Sequence, residues 1–153
     1  MKDEISQVRE ALDEFVRAKQ KLRELDAIRS ERVTGEIGEW FAEKLTGARR
    51  AETTSQTGWD LLLGDKRIQV KCHAKGDQNN ARWTQWTYKD KLFDELIILV
   101  FNKELYLKEA YRMTYEQAHV RVKWDQKQVV LRWDDCTDFR IRHFPKELEP
   151  FLM

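Results

Sequence analysis

An acid, an amide and an amine lie on two short segments that the sequence predicts to be neighbouring β-strands. Asp60 lies near the start of residues 58–63, and Gln69 and Lys71 lie two apart on residues 66–71. A two-residue turn separates the segments, so a hairpin can bring Asp60 beside the other two side chains. Because side chains alternate along a strand, Gln69 and Lys71 share one face, and the apolar residues that alternate with them enter the core. Two oxygen ligands beside an ammonium group suit the binding of Mg²⁺ against a phosphate.

A helix that carries three acids precedes these strands. Its pattern begins near Ser30 and Val33, runs to about Leu45 and stops at Gly47. Large apolar side chains form one face, and small residues beside them permit close approach to a sheet. The remaining polar stripe consists of Glu36, Glu39 and Glu43. Such a stripe is usually only solvated, but one of these acids could complete the site of Asp60.

These motifs resemble those of the PD-(D/E)XK nuclease superfamily, which includes restriction enzymes and Holliday-junction resolvases. Members carry an Asp at the start of one strand and an acid-x-Lys tripeptide on the next. Gln69 stands in place of that second acid, which looks like the Q-x-K form found among methyl-directed restriction nucleases. Residues 35–42 stand where small members carry G-x-x-G-E-x-x-A. The resemblance covers roughly residues 31–112.

The resemblance implies a role for each site residue. Asp60 and Gln69 would hold Mg²⁺, or Mn²⁺ in its place, and the Val70 carbonyl could add another oxygen. Lys71 would orient the attacking water or stabilise charge on the scissile phosphate. The family pattern makes Glu39 the helix acid. Glu36 remains the alternative, because the helical wheel keeps it nearer the large apolar face.

The function expected on this basis is divalent-metal-dependent endonucleolytic cleavage of DNA, in restriction, repair or defence. The alternative is a nuclease-derived module that binds DNA or an assembly partner and has lost cleavage.

Residues after the tripeptide are candidates for DNA contact. His73 continues the face of Gln69 and Lys71, so it could contact phosphate or transfer a proton, or it is an ordinary polar residue at a strand end. Beyond it, cations alternate with aromatic residues, a composition that suits phosphate contact and base stacking. These candidates are Lys75, Arg82, Trp83, Trp86 and Lys89. The two tryptophans could instead be core residues.

The rest of the chain predicts an α/β fold, with the restriction endonuclease-like mixed central sheet flanked by helices that the resemblance implies. The apolar run 95–101 predicts a central strand buried on both faces. Residues 48–53 and 105–113 predict further strands, and residues 120–133 predict a C-terminal β-hairpin. Thr114 is expected to cap a short helix.

We expect one domain over residues 1–153. It comprises an N-terminal helix within residues 1–27, a catalytic core over 31–112 and an extension over 113–153. The helix is amphipathic and charged, so it either packs along its own domain or forms a homodimer with a second copy.

Composition limits the remaining classes. The net charge of +1 does not indicate a globally basic nucleic-acid binder, although a local patch is compatible with it. Two cysteines make no disulfide framework and suit a reducing cytoplasm, and three scattered histidines offer no zinc spacing. We expect no membrane partner, since no apolar run reaches the ~20 residues of a span. The first four residues do not suggest a signal peptide.

Overall fold

The computed structural model describes residues 2–54, 58–75 and 81–153. The protein is a mixed α/β structure with a long N-terminal helix. Its helices are α1 (Glu4–Glu24), α2 (Val33–Thr46) and α3 (Tyr115–His119). Its strands are β1 (Arg49–Arg50), β2 (Leu61–Leu63), β3 (Lys66–Lys75), β4 (Trp83–Gln85), β5 (Glu95–Asn102), β6 (Leu107–Thr114) and β7 (Val130–Arg132). Two 3₁₀ segments, Trp133–Phe139 and Lys146–Phe151, follow β7.

The main sheet is mixed and has five strands in the order β1-β2-β3-β5-β6. β3 and β5 pair in parallel, whereas the other neighbours pair antiparallel. β5 is buried from Glu95 to Phe101, as the apolar run predicts. The β3–β5 pairing continues from Ile68 to Lys75, but β2 pairs with β3 only over Lys66–Ile68. Among the residues that the structure describes, one edge of β3 is therefore without a neighbouring strand beyond Ile68.

Helix α2 packs on one face of this sheet. Phe41 lies in the core there with Ile68, Val70 and Phe101, and its ring meets that of Phe101 edge-on at 5.5 Å. Gly38 packs closely on β3, as the small residues of the helix predict. A Cβ atom at Gly38 would lie only 2.6 Å from Cβ of Cys72 on β3. The helix that carries the acids therefore lies directly against the strand that carries Gln69 and Lys71.

The opposite face of the sheet holds a second, aromatic-rich core. Its buried residues include Trp86, Phe93, Tyr111 and Trp133. Strands β4 and β7 form a separate two-stranded sheet beside it, with Thr84 opposite Leu131. This small sheet covers the face of β3 on which His73 lies.

The predicted hairpin over residues 120–133 is wrong. Only Val130–Arg132 forms a strand, and its partner is β4 rather than the preceding residues. A single bridge between Lys123 and Val130 remains of the expected pairing. Val122, Val130 and Leu131 are buried, so the short alternation of apolar and polar residues reflects core packing beside β4 rather than a local strand pair.

The remaining predicted elements are largely confirmed, including the long first helix, the acid-bearing second helix and the helix cap at Thr114, although the strand predicted over 48–53 comprises only Arg49–Arg50. Among the described residues, no helix is both long enough and apolar enough to cross a membrane.

Candidate active site

Asp60 lies where β2 separates from β3. Its backbone N–H donates to the carbonyl of Ile68 at 2.8 Å, which continues the strand pairing beyond Leu61. Beyond this point the Asp60 side chain bonds to β3, because its Oδ2 accepts a hydrogen bond of 2.8 Å from the N–H of Val70. The Asp60 carboxylate thus accepts a hydrogen bond from the Val70 N–H, to which β2 does not extend. This bond holds the acid against the backbone of the Gln69–Lys71 tripeptide.

Gln69 lies beside the same backbone unit. Its side chain is buried, and its Nε2 is 3.4 Å from the carbonyl of Val70. The amide is therefore close to the backbone carbonyl that the sequence assigns as a further oxygen ligand. The alternation is as predicted: Val70 enters the core under α2, and the next residues in each direction belong to the other face.

Two of the three helix acids are engaged in structural contacts. Glu36 is buried, and its Oε2 accepts hydrogen bonds from the backbone N–H groups of Arg29, at 2.9 Å, and Ser30. Glu43 binds Arg50 twice, through the backbone N–H at 2.7 Å and the guanidinium at 2.9 Å. Glu36 therefore anchors the loop before α2, and Glu43 anchors the edge strand.

Glu39 is the helix acid that meets Asp60. Burial raises the pKa of Glu39, and the hydrogen bond and negative charge of Asp60 raise it further, to about 8. The charge of Glu36 acts in the same direction. Near pH 7 the Glu39 carboxyl group is therefore largely protonated. This arrangement supports the prediction of Glu39, rather than Glu36, as the acid that joins the site.

Lys71 lies on the other side of the tripeptide and contacts Tyr88. Its ammonium is 5.4 Å from the centroid of the Tyr88 ring. Within the described ranges of the chain, no carboxylate forms an ion pair with Lys71. The Lys71 ammonium thus lies against the face of the Tyr88 ring, which attracts the ammonium without neutralising its charge.

Tyr88 is a candidate site residue that sequence reasoning missed. Its ring packs edge-on against Trp86 at 5.0 Å and Phe93 at 4.9 Å. Its hydroxyl is buried and has no hydrogen-bond partner among the described residues. Burial, together with the charge of Asp60, raises the pKa of Tyr88. The available signal was an aromatic residue two positions after Trp86, but its nearness to Lys71 depends on the fold.

His73 is half-buried and packs against the second core, with its ring centroid 5.1 Å from that of Trp133. Its Nε2 is 2.8 Å from Oγ1 of Thr84, which also accepts a hydrogen bond from Nε1 of Trp133 at 2.9 Å. Burial, with the charges of Lys75 and Lys71, lowers the pKa of His73 to about 4. The imidazole is therefore neutral at pH 7, and its contacts are those of a packed residue.

The other predicted DNA contacts divide into three kinds. Trp86 is 5% exposed, so it belongs to the core and does not offer a ring face to a base; this corrects the prediction for that residue. Arg82 binds Glu109 through two hydrogen bonds of 2.8 and 2.9 Å and also pairs with Asp134. Lys89 is exposed.

Lys75 and Trp83 lie together at the end of β3. The Lys75 ammonium donates to the carbonyl of Ala81 at 2.9 Å and lies 6.0 Å from the ring of Trp83 and 5.1 Å from that of Trp133. Trp83 is half-buried. Both remain candidates for DNA contact, together with Lys89.

The donor set suits a hard divalent cation. Four oxygen-bearing groups belong to it: the carboxyl groups of Glu39 and Asp60, the amide of Gln69 and the carbonyl of Val70. Such cations prefer oxygen ligands, and a cation would offset both the burial and the repulsion from Asp60 that raise the pKa of Glu39. No cluster of three or more His, Cys, Asp or Glu side chains that could hold a metal occurs in residues 2–54, 58–75 and 81–153. The set fits only if the Gln69 amide and the Val70 carbonyl contribute.

Comparison with known proteins identifies no family. No family model matches the chain. The chain is 32% identical over 75 residues to Retinol-binding protein 1 of Bos taurus, and the same figures hold for the proteins of Rattus norvegicus and Homo sapiens. The match covers 49% of this chain and 51% of each of those proteins. The chain thus spans about half the length of the curated relatives it matches.

Proposed function

We propose that the protein is a divalent-metal-dependent endonuclease that hydrolyses DNA phosphodiester bonds, on a restriction endonuclease-like fold. The observation that carries the proposal is the meeting of Glu39 and Asp60 at the free edge of β3, with the Lys71 ammonium on the same strand. Two acids from separate elements are costly to bring together, as the raised pKa of Glu39 reflects, and they suggest a cation site.

Each residue would have a defined task. Glu39, Asp60, Gln69 and the Val70 carbonyl would bind Mg²⁺ or Mn²⁺. The bound ion would supply Lewis-acid activation of the phosphate and of a water molecule. Lys71 would place its unneutralised charge near the phosphate oxygens, on which negative charge develops during hydrolysis. Asp60 is already held in place by the Val70 N–H, so little reorganisation is needed when substrate binds.

A DNA-binding module without cleavage is the second candidate. The binding surface would include Lys75, Trp83 and Lys89, none of which depends on the acid pair. This candidate predicts DNA affinity that is unaffected by loss of Asp60.

The partial likeness to Retinol-binding protein 1 suggests retinol binding as a third hypothesis. A site for a largely apolar ligand is expected to be an enclosed and predominantly apolar cavity. Two clefts of about 450 and 550 Å³ occur in the described part of the protein. The first is lined in part by Lys108, Arg140 and Arg142, and the second by Arg49 and Arg50. Apolar side chains line both clefts as well, but the clefts are open at the surface rather than enclosed, so neither favours retinol.

The test is incubation of the purified protein with Mg²⁺ or Mn²⁺ and linear, supercoiled, single-stranded or branched DNA. We expect cleavage that EDTA abolishes and that Asp60→Ala or Lys71→Ala reduces at least 100-fold. Asp65→Ala and Lys44→Ala are matched controls, because both residues are exposed and lie outside the donor set. DNA binding without cleavage by any preparation would favour the second candidate, and near wild-type activity of Asp60→Ala would contradict the proposed site.

A further inference from the structure

Helix α1 carries an apolar stripe that nothing in the described protein covers. The helix spans Glu4–Glu24, and none of its residues is buried. Ile5 is 82% exposed, and Val8, Leu12 and Phe15 are 52%, 45% and 55% exposed. These four residues are separated by three, four and three positions, the a and d spacing of a heptad repeat. Val16, 53% exposed, widens the same stripe.

The helix contacts the rest of the domain through its C-terminal end. Lys19 and Arg23 both pair with Glu31, and Leu22 packs against Ile28 and the residues around it. Residues 2–18 are all exposed. A helix gains most of its stability in a protein from burial of its apolar face, and isolated helices of up to about 15 residues are only marginally stable in water. The N-terminal part of α1 therefore lacks the packing that a helix of this composition needs.

We propose that this stripe is the interface for a second copy of the chain, in a parallel two-stranded coiled coil with the helices in register. Ile5 and Leu12 occupy a positions, and Val8 and Phe15 occupy d positions. The heptad spacing fits a partner helix with the same period, which a second copy supplies.

Charge favours the parallel arrangement. In a parallel pair, a g residue faces the e residue five positions later in the partner, so Glu4 faces Arg9 of the second copy, and this pair occurs twice. The antiparallel arrangement that covers the same four apolar residues sets Arg9 against Arg9. Lys19 occupies the next a position, and its ammonium is tied to Glu31 and lies 5.0 Å from the Phe15 ring. A lysine at one a position limits oligomer size at a cost in stability.

The interface is independent of the proposed catalysis, and its test does not use activity. Sedimentation equilibrium of the full chain between about 1 and 100 µM should show a monomer–dimer equilibrium. Val8→Glu should weaken the dimer at least tenfold. Val120→Glu is the matched control, since Val120 is 74% exposed and lies outside α1. A wild-type monomer over the whole range, or an unchanged dimer with Val8→Glu, would overturn the proposal.

A charge exchange tests the arrangement. Arg9→Glu should weaken the dimer severalfold, and Glu4→Lys combined with Arg9→Glu should restore it, because the exchange rebuilds the two ion pairs. Both variants lose the Arg9–Asp13 pair within the helix, so restoration cannot be attributed to helix stability. Failure of the second change to restore affinity would rule out the parallel, in-register pair.

Discussion

The carboxyl groups of Glu39 and Asp60 lie next to each other although both side chains are acids. The pKa of Glu39 is raised from 4.5 to about 8, so the folded state keeps a proton that the unfolded chain has lost between those values. This contribution to stability is complete below pH 4.5 and is lost as pH rises through about 8.

The first prediction is therefore that Glu39→Gln removes part of the pH dependence of stability. Between about pH 5 and pH 8 the wild-type free energy of unfolding should fall by roughly 1–2 kcal/mol more than that of the variant, after allowance for solvent screening of a half-buried side chain. Urea denaturation at several pH values measures the free energy of unfolding of the wild type and of the variant. Parallel pH profiles would show that Glu39 does not hold the proton.

Proton release on metal binding is the second prediction. A cation bound by Glu39 and Asp60 must displace the proton on Glu39, so Mg²⁺ binding at pH 7 should release up to about one proton per protein. Calorimetric titration in two buffers of different ionisation enthalpy measures the number of protons released per Mg²⁺ bound. In Glu39→Gln the release should be close to zero. Binding without proton release by the wild type would place the cation elsewhere.

The third prediction concerns Gln69→Glu. A third carboxylate in this buried position should lower stability in EDTA by about 1–3 kcal/mol, because nothing neutralises it. Mg²⁺ should then raise the melting temperature more than in the wild type, because the added ligand is charged. Differential scanning calorimetry with and without Mg²⁺ decides the matter. Gln85→Glu, at an exposed position of β4, is the control and should show neither effect. Weaker Mg²⁺ binding by Gln69→Glu would argue against Gln69 as a ligand.

Tyr88 provides the fourth prediction. Tyr88→Phe keeps the ring beside Lys71 and removes a buried hydroxyl that has no partner among the described residues, so cleavage should change little and stability should rise by up to about 1 kcal/mol. Tyr88→Leu also removes the cation–π contact and should cost about 100-fold. Tyr115→Leu is the matched control and should leave cleavage unchanged. The Tyr115 ring packs against the same aromatic core, and the Lys91 ammonium lies 5.7 Å from its centroid.

A second measurement separates this role from structural damage. The ring-current shift of the Lys71 Cε signal, assigned with Lys71→Arg, should persist in Tyr88→Phe and disappear in Tyr88→Leu. Unchanged Lys71 shifts in Tyr88→Leu would contradict the contact even if the protein proved not to cleave DNA.

The fifth prediction tests the approach of α2 to β3. Gly38→Ala should destabilise the protein by about 1–3 kcal/mol, since its Cβ would meet Cβ of Cys72. Gly35→Ala has open space around the new methyl group and should stabilise the helix by up to about 1 kcal/mol. Urea denaturation of the two variants should therefore give changes of opposite sign. Equal effects would mean that α2 lies further from the sheet.

The features predicted correctly from sequence are those that short-range periodicity determines. Alternation over residues 66–71 predicts which side chains enter the core, and the apolar run 95–101 predicts the buried strand. The acid stripe of α2 follows from helical periodicity alone. These patterns require only that each element bury its apolar face.

Features that depend on distant residues could not be predicted in the same way. Local alternation suggested that residues 120–133 pair with one another, but β7 pairs with β4, some 47 positions earlier at Leu131 and Thr84. The contact of Tyr88 with Lys71 and the burial of Trp86 likewise arise from packing across the sheet. The contacts of Glu36 with Ser30 and of Glu43 with Arg50 depend on where those partners lie in the fold, which a local sequence pattern does not predict.

The ties of Glu36 and Glu43 also limit how α2 can turn. Glu36 is bonded to the loop before the helix and Glu43 to the edge strand, so rotation of α2 about its own axis would break contacts near both ends at once. Glu39 lies between these two residues in sequence. The direction in which Glu39 faces Asp60 is therefore set by contacts of Glu36 and Glu43, in which Glu39 takes no part. A ligand that pulled on the Glu39 carboxyl group would move the whole helix rather than one side chain.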